Sequence, residues 1–118
     1  MLFQVIVRYD PAKNPVRTPH GMQRLMDFAR WIEVQTEYPD VRPAGQVYWS
    51  IDEDAPEGYG IFAAPRRQRL EAYLTGMRRA AEIEIHEVKP LAELLQEGAA
   101  KLEGGLSGLA LHRSLDHP

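Results

Sequence analysis

The stretch PEGYGIFAAP, residues 56–65, reads as a strand held between two prolines, its aromatic and β-branched residues interleaved with small ones. The polar run DEDAPEG, residues 52–58, leads into it, and residues 46–51 before that form another strand-like run. Two strands joined by a short, turn-rich segment make an antiparallel hairpin. On the other side, Pro65 opens a helix that carries Leu70, Tyr73, Leu74 and Met77 on one face. Further out, residues 2–9 are rich in β-branched and aromatic residues and predict the first strand, followed by a loop marked by Pro11, Asn14 and Pro15. Thr18-Pro19 has the form of an N-cap with proline at the first helical position. Met22, Leu25, Met26, Ala29 and Ile32 then recur at helical spacing. Pro39 disfavours a helical residue before it, which stops this helix near Tyr38. Residues 82–89 alternate as a fourth strand.

The resulting order, β-α-β-β-α-β, predicts an α+β fold of the ferredoxin-like type: a four-stranded antiparallel sheet with both helices on one face. The domain is expected to span residues 1–91. Residues 92–118 follow as a C-terminal helix and tail. Pro90 opens the helix, Leu91, Leu94, Leu95 and Leu102 form its stripe, and glycines break the tail. Leu106, Leu109, Leu111 and Leu115 are ill suited to a free arm in water, so the tail is expected to dock on the domain or on a partner subunit.

Composition narrows the function. With 118 residues and 44% hydrophobic content the chain is long enough for one real core. A formal charge of −3 and scattered arginines argue against a broad phosphate-binding surface. Without cysteine there is no disulfide, no thiolate-held cluster and no Cys-based zinc site. The apolar N-terminus breaks at Arg8 and Asp10, as a strand does and a signal peptide does not. No apolar run approaches the roughly 20 residues of a membrane span. The expectation is a cytoplasmic protein with no membrane and no nucleic-acid partner.

Alternation within the strands assigns Phe3, Val5, Val7, Val47, Trp49, Ile51, Tyr59, Ile61, Ala63, Ile83 and Ile85 to the helix-covered face. The other face then mixes Ile6, Tyr48, Phe62 and Val88 with Gln4, Arg8, Ser50, Glu84 and His86. A face this apolar normally has a partner. Gly58-Tyr59-Gly60-Ile61-Phe62 is a partial match to the RNA-binding strand of an RRM domain, whose aromatics stack on bases. Here Glu57 replaces the leading basic residue and Ile61 the second aromatic, and Tyr59 and Phe3 fall on the set assigned to the helices. RNA binding is not expected. Two such sheets packed face to face, forming a dimeric α+β barrel, account better for the mixed face.

MLFQVIV at the start, Thr75-Gly76, and IEIHEVKPL closing the fourth strand resemble the corresponding segments of muconolactone isomerase-like proteins. They are also similar to a related group of small bacterial domains of the dimeric α+β barrel superfamily. The resemblance spans residues 1–91 and implies the fold and a homodimer or higher multiple of dimers. Residues 39–45 and 52–58 depart from it, as does everything after Leu91, and it transfers no catalytic residue by position.

The residues themselves offer a site. His86 and Glu84, two apart on one strand, point the same way, and an imidazole beside a carboxylate is equipped to move protons. Arg8 and Tyr48 on the same face could donate hydrogen bonds to a developing oxyanion. Trp31 lies off the main stripe of its helix, placed to line a cavity between helix and sheet or to cover a neighbouring chain. Core or interface packing accounts for the tryptophans more simply than ligand contact, and polar-rim pairing accounts for His86 and Glu84 more simply than catalysis. His20 is more simply surface. His112 and His117 lack metal-site spacing, and the DEDAPE turn lacks the EF-hand pattern. No phosphate loop, nucleophile elbow or HExxH is present. The expectation is a small, partly apolar organic ligand bound between sheet and helices, with no metal or cofactor. One outcome is an isomerase-like proton transfer by His86 and Glu84; the alternative is a non-catalytic ligand-binding or oligomerisation module.

Overall fold

The computed structural model describes residues 1–104. It is an α+β structure with a five-stranded antiparallel sheet and three helices. Two compact units divide it after Val88.

In the first unit, β1 (Leu2–Arg8) leads through two short 3₁₀ turns (Pro11–Lys13 and Pro15–Arg17) into α1 (Pro19–Val34). Then come β2 (Arg42–Pro43), β3 (Tyr48–Trp49), β4 (Glu57–Ala63), α2 (Arg67–Tyr73), a 3₁₀ turn (Thr75–Arg79) and β5 (Glu82–Val88). The strand order is β2-β4-β1-β5, with β3 also pairing β4, so β2 and β3 share one edge. β1 is central, antiparallel to both β4 and β5. Its strict alternation is visible in burial: Phe3, Val5 and Val7 are buried, while Leu2, Gln4, Ile6 and Arg8 are half-buried on the open face. Phe62 and Ala64 from the β4 segment and Ile85 from β5 join them beneath Leu70, Tyr73 and Leu74. Trp31 and Ile32 of α1 pack at the margin of this core.

The expected four strands become five because the second one is broken. Pro43 pairs with Phe62 and Tyr48 with Tyr59, so residues 44–47 stand opposite only Gly60 and Ile61. This is a two-residue bulge, turned through Gly45 at φ +108°. A two-residue insertion preserves alternation, so Val47 and Trp49 still turn inward and Tyr48 outward. Ile51, expected inside, is fully exposed, because the strand has ended before it.

β4 corrects the expected phase. Gly58, Gly60 and Phe62 are on the buried face, whereas Tyr59 is exposed and Ile61 half-buried on the open one. The glycines have no side chains of their own, and neighbours occupy that space: a Cβ on Gly58 would stand 3.2 Å from the Trp49 ring, and one on Gly60 3.3 Å from Val47 Cγ2. The resemblance of GYGIF to a base-stacking strand is therefore a packing device in which edge-strand side chains fold over two bare positions.

α1 starts as predicted, with Thr18 Oγ1 accepting from Gly21 N at 3.0 Å. It ends at Val34, earlier than Pro39 alone dictates. Gln35 takes an extended conformation, and its side chain brackets Tyr38, accepting from Tyr38 N and donating to Tyr38 O, both at 2.7 Å. The 16-residue helix buries none of its residues.

The second unit contains α3 (Leu91–Gly104), where Lys89 Nζ donates to both carboxylate oxygens of Glu97 at 3.0 Å. Leu91, Leu94 and Leu95 are exposed on it. The tail leucines, His112 and His117 lie outside the described residues. No helix among the described residues is long and apolar enough to cross a membrane.

The phase of β4 has a direct energetic test. Phe62→Ala opens a cavity in the core and should lower the unfolding free energy by about 3–5 kcal/mol. Tyr59→Ala removes only an exposed ring stacked on Tyr48 and should cost about 1 kcal/mol. Urea denaturation of the two variants would reverse this ranking if Tyr59 were the buried residue.

Candidate functional site

Two places in the first unit carry chemistry, one on each face of the sheet. On the open face, registry around β1 sets Arg8 beside Glu57 and Glu82, Ile6 beside Tyr59 and Glu84, and Gln4 beside Ile61 and His86. Arg8 Nε donates to Glu57 Oε2 at 3.2 Å, and Arg8 Nη1 donates to Glu84 Oε1. The other Glu84 oxygen lies 3.2 Å from His86 Nε2. The result is a continuous chain, Glu57–Arg8–Glu84–His86, spanning three strands. The Arg8 hydrogen bond, and then that of His86, hold the Glu84 carboxyl below the usual carboxylate range. The Arg8 guanidinium is raised in return, chiefly by its hydrogen bond to Glu84.

Three of the sequence-predicted site residues, His86, Glu84 and Arg8, are thus brought together. Tyr48 shares their face but stands outside the ionic chain, stacked on Tyr59 with ring centroids 5.6 Å apart. Tyr59 therefore belongs to this face and not to the helix side. Its companions are acidic, Glu57 ahead of it and Glu84 across Ile6, which is a poor surface for phosphate.

The inner face carries two clefts along α1. The residues of the helix divide into two stripes. Met22, Leu25, Ala29 and Ile32 border an apolar cleft of about 450 Å³, floored by Val5, Val7, Gly58, Gly60 and Phe62. His20, Arg24, Phe28 and Trp31 border a second cleft of about 720 Å³. Leu25, Phe28 and Met77 stand in the walls of both, so the two adjoin. Trp31 therefore sits at a cleft wall, between Phe28 at 5.8 Å and Tyr73 at 4.8 Å. None of His86, Glu84 and Arg8 lines either cleft.

The lining of the second cleft is mixed and includes three exposed cations, Lys13, Arg24 and Arg79, against one carboxylate, Glu37. Buried Asn14 positions this wall, its Nδ2 donating to Glu53 O at 3.0 Å and its Oδ1 accepting from Val16 N at 3.1 Å. The first turn of α1 comes close because residue 21 is glycine; a Cβ there would lie 2.3 Å from Pro15 O. Tyr73, 4% exposed, also lines the cleft, and its hydroxyl has no hydrogen-bond partner among the described residues. Burial pushes the Tyr73 phenol up to about 12, and burial also raises Tyr9, against the opposing effect of Arg24.

Sequence reasoning left Trp31 either lining a helix–sheet cavity or covering a neighbouring chain; it lines a cleft between α1, the loop before it and the α2 segment, with no strand residue in its wall, and Tyr9, Lys13, Arg24, Tyr73 and Arg79 beside it were missed. The signal for one of them was available: His20, Arg24 and Phe28 recur every four residues, a second stripe beside the apolar one. Lys13 and Arg79 are far apart in sequence, and only the fold joins them.

No family model matches the chain, and neither a curated protein nor a solved structure matches it.

The unpartnered phenol makes Tyr73→Phe a stabilising change, by about 1–2 kcal/mol, because a buried donor without a partner costs that much. The pH dependence follows from the raised value in the folded state. The preference for the neutral phenol is complete below the ordinary tyrosine range and is lost as pH rises toward about 12. Denaturant melts at increasing alkaline pH should show the wild type losing stability more steeply than Tyr73→Phe.

Proposed function

We propose that this chain is a ligand-binding domain of ferredoxin-like type that takes a small, partly apolar organic molecule beneath α1. We further propose that its open sheet face pairs with a second copy to close a dimeric α+β barrel. The strand order, with β1 between β4 and β5 and both helices on the inner face, supports the ferredoxin-like assignment. It also accords with the resemblance to muconolactone isomerase-like proteins.

One observation carries the ligand reading. α1 is amphipathic and 16 residues long, yet it buries no residue, and its apolar stripe borders the cleft instead of filling it. In a closed core such a stripe is buried against its sheet. Here Gly58 and Gly60, overlaid by Trp49 and Val47 from the edge strand, form part of a shallow floor that the stripe does not fill. A volume of about 450 Å³ falls within the size of small-molecule sites, roughly 300–1,000 Å³.

The dimer is supported by the composition of the open face, where Leu2, Ile6, Ile61 and Val88 are half-buried and Tyr48 and Tyr59 exposed. This pairing also bears on the second reading, a cofactor-free, isomerase-like proton transfer by His86 and Glu84 with Arg8 and Tyr48 as donors. The hydrogen-bonded chain Arg8–Glu84–His86 favours it. It requires a partner copy to roof His86, since both clefts lie on the other side of the sheet. Proton transfer to a substrate carbon is efficient only where bulk water is excluded.

N-phenyl-1-naphthylamine, a neutral apolar fluorophore, tests the cleft. Its emission should rise saturably with the wild type, and Ala29→Phe, which projects a ring into the cleft, should weaken binding roughly tenfold through lost apolar burial. Binding unaffected by Ala29→Phe would remove the cleft from the argument. Light scattering at micromolar concentration should give a dimer or a multiple of dimers. Ile61→Glu, on the opposite face from the cleft, should yield monomers that still bind the fluorophore. A monomeric wild type would sink the barrel.

A further inference from the structure

The adjoining clefts differ in character, and that difference specifies the ligand more narrowly. We infer that the ligand is an amphipathic organic anion, its apolar body under the Met22–Leu25–Ala29–Ile32 stripe and its anionic head in the second cleft between Lys13, Arg24 and Arg79. This rests on the ligand-binding reading above and adds the chemistry of the head group.

Three observations converge. Three cations face a single carboxylate there, in a chain whose formal charge is −3, so the excess is local and against the overall sign. None of the three forms a salt bridge among the described residues, which leaves their charge available to a ligand. The first turn of α1 lines the same cleft through Thr18, His20 and Gly21, and the positive end of a helix favours negative charge. The shared walls Leu25, Phe28 and Met77 leave the two clefts adjoining, so one molecule of modest length can reach from apolar surface to cations.

The test compares two fluorophores with the same ring system, neutral N-phenyl-1-naphthylamine and 8-anilinonaphthalene-1-sulfonate, whose sulfonate stays ionised. The sulfonate should bind about tenfold more tightly at low ionic strength and lose that preference in molar salt, as screening predicts. The double variant Arg24→Gln/Arg79→Gln should weaken sulfonate binding about tenfold, the range of charge-assisted hydrogen bonds made at an exposed rim, and leave the neutral probe within about twofold. Arg78→Gln changes the same charge at the adjacent exposed residue, which lines neither cleft, and should leave both probes unaffected. Displacement of the sulfonate by decanoate or by decyl phosphate, but not by decanol, would support the anion and tell carboxylate from phosphate. Equal displacement by decanol, or a sulfonate preference that survives the double variant, would overturn it while leaving the apolar cleft intact. Failure of both fluorophores to bind would remove the underlying ligand reading and this inference with it.

Discussion

Two missing side chains shape the first unit. Gly58 and Gly60 occupy inward positions of β4, where a strand of a closed core would place Val, Ile or Leu. Trp49 and Val47 fold over these positions from the edge strand, close enough that a Cβ on either glycine would press against them. The sheet therefore presents α1 with a shallow floor, and the helix has little to interdigitate with at that end. Toward the other end Phe3, Phe62, Leu70 and Tyr73 pack to native tightness. The domain is thus anchored by α2 and opened beneath α1. Interiors tolerate few voids of this size, because each unfilled contact forfeits dispersion energy. The cleft is set by paired glycines and by the Trp49 and Val47 side chains laid over them.

The charged groups separate along the same division. On the open face Arg8, Glu57, Glu84 and His86 satisfy one another across three strands. Such exposed pairs contribute little to stability and serve chiefly to fix side-chain positions. Beneath α1 the opposite holds: Lys13, Arg24 and Arg79 are left without salt bridges among the described residues, in a wall pinned by Asn14.

Much of this was legible in the residues, for identifiable reasons. β1 alternates strictly, with Phe3, Val5 and Val7 inside, and β5 does so through Ile83 and Ile85, so their phase and the placing of His86 with Glu84 and Arg8 followed directly. β4 was read in the wrong phase because a hydrophobicity pattern cannot weigh glycines. Tyr59, Ile61 and Ala63 look like the apolar set when the opposing positions carry no side chain, and Phe62 alone gave the true phase. The bulge at Gly45 and the early stop of α1 at Gln35 are decided by a turn and a side-chain bracket, neither of which has a periodicity. At the site, standing off the apolar stripe marked Trp31 for a cavity wall or a neighbouring chain without choosing between them. The cation set carried no such mark, because residues 13, 24 and 79 meet only after the loop, the helix and the last 3₁₀ turn have packed.

The geometry of the ionic chain also bears on what His86 and Glu84 can do. A general base works best when its pKa lies near the working pH, and enzymes usually raise carboxylates by burial to achieve this. Glu84 is displaced the other way, held ionised by Arg8 and His86 at an exposed position. A carboxylate so engaged is a weak base and a poor acid. Its geometry suits a different task, that of orienting the imidazole two residues along the same strand. If proton transfer occurs on this face, His86 must carry it, and the substrate must arrive in a space that a second sheet closes. The clefts beneath α1 need no such completion: their apolar and cationic linings are both supplied by one copy.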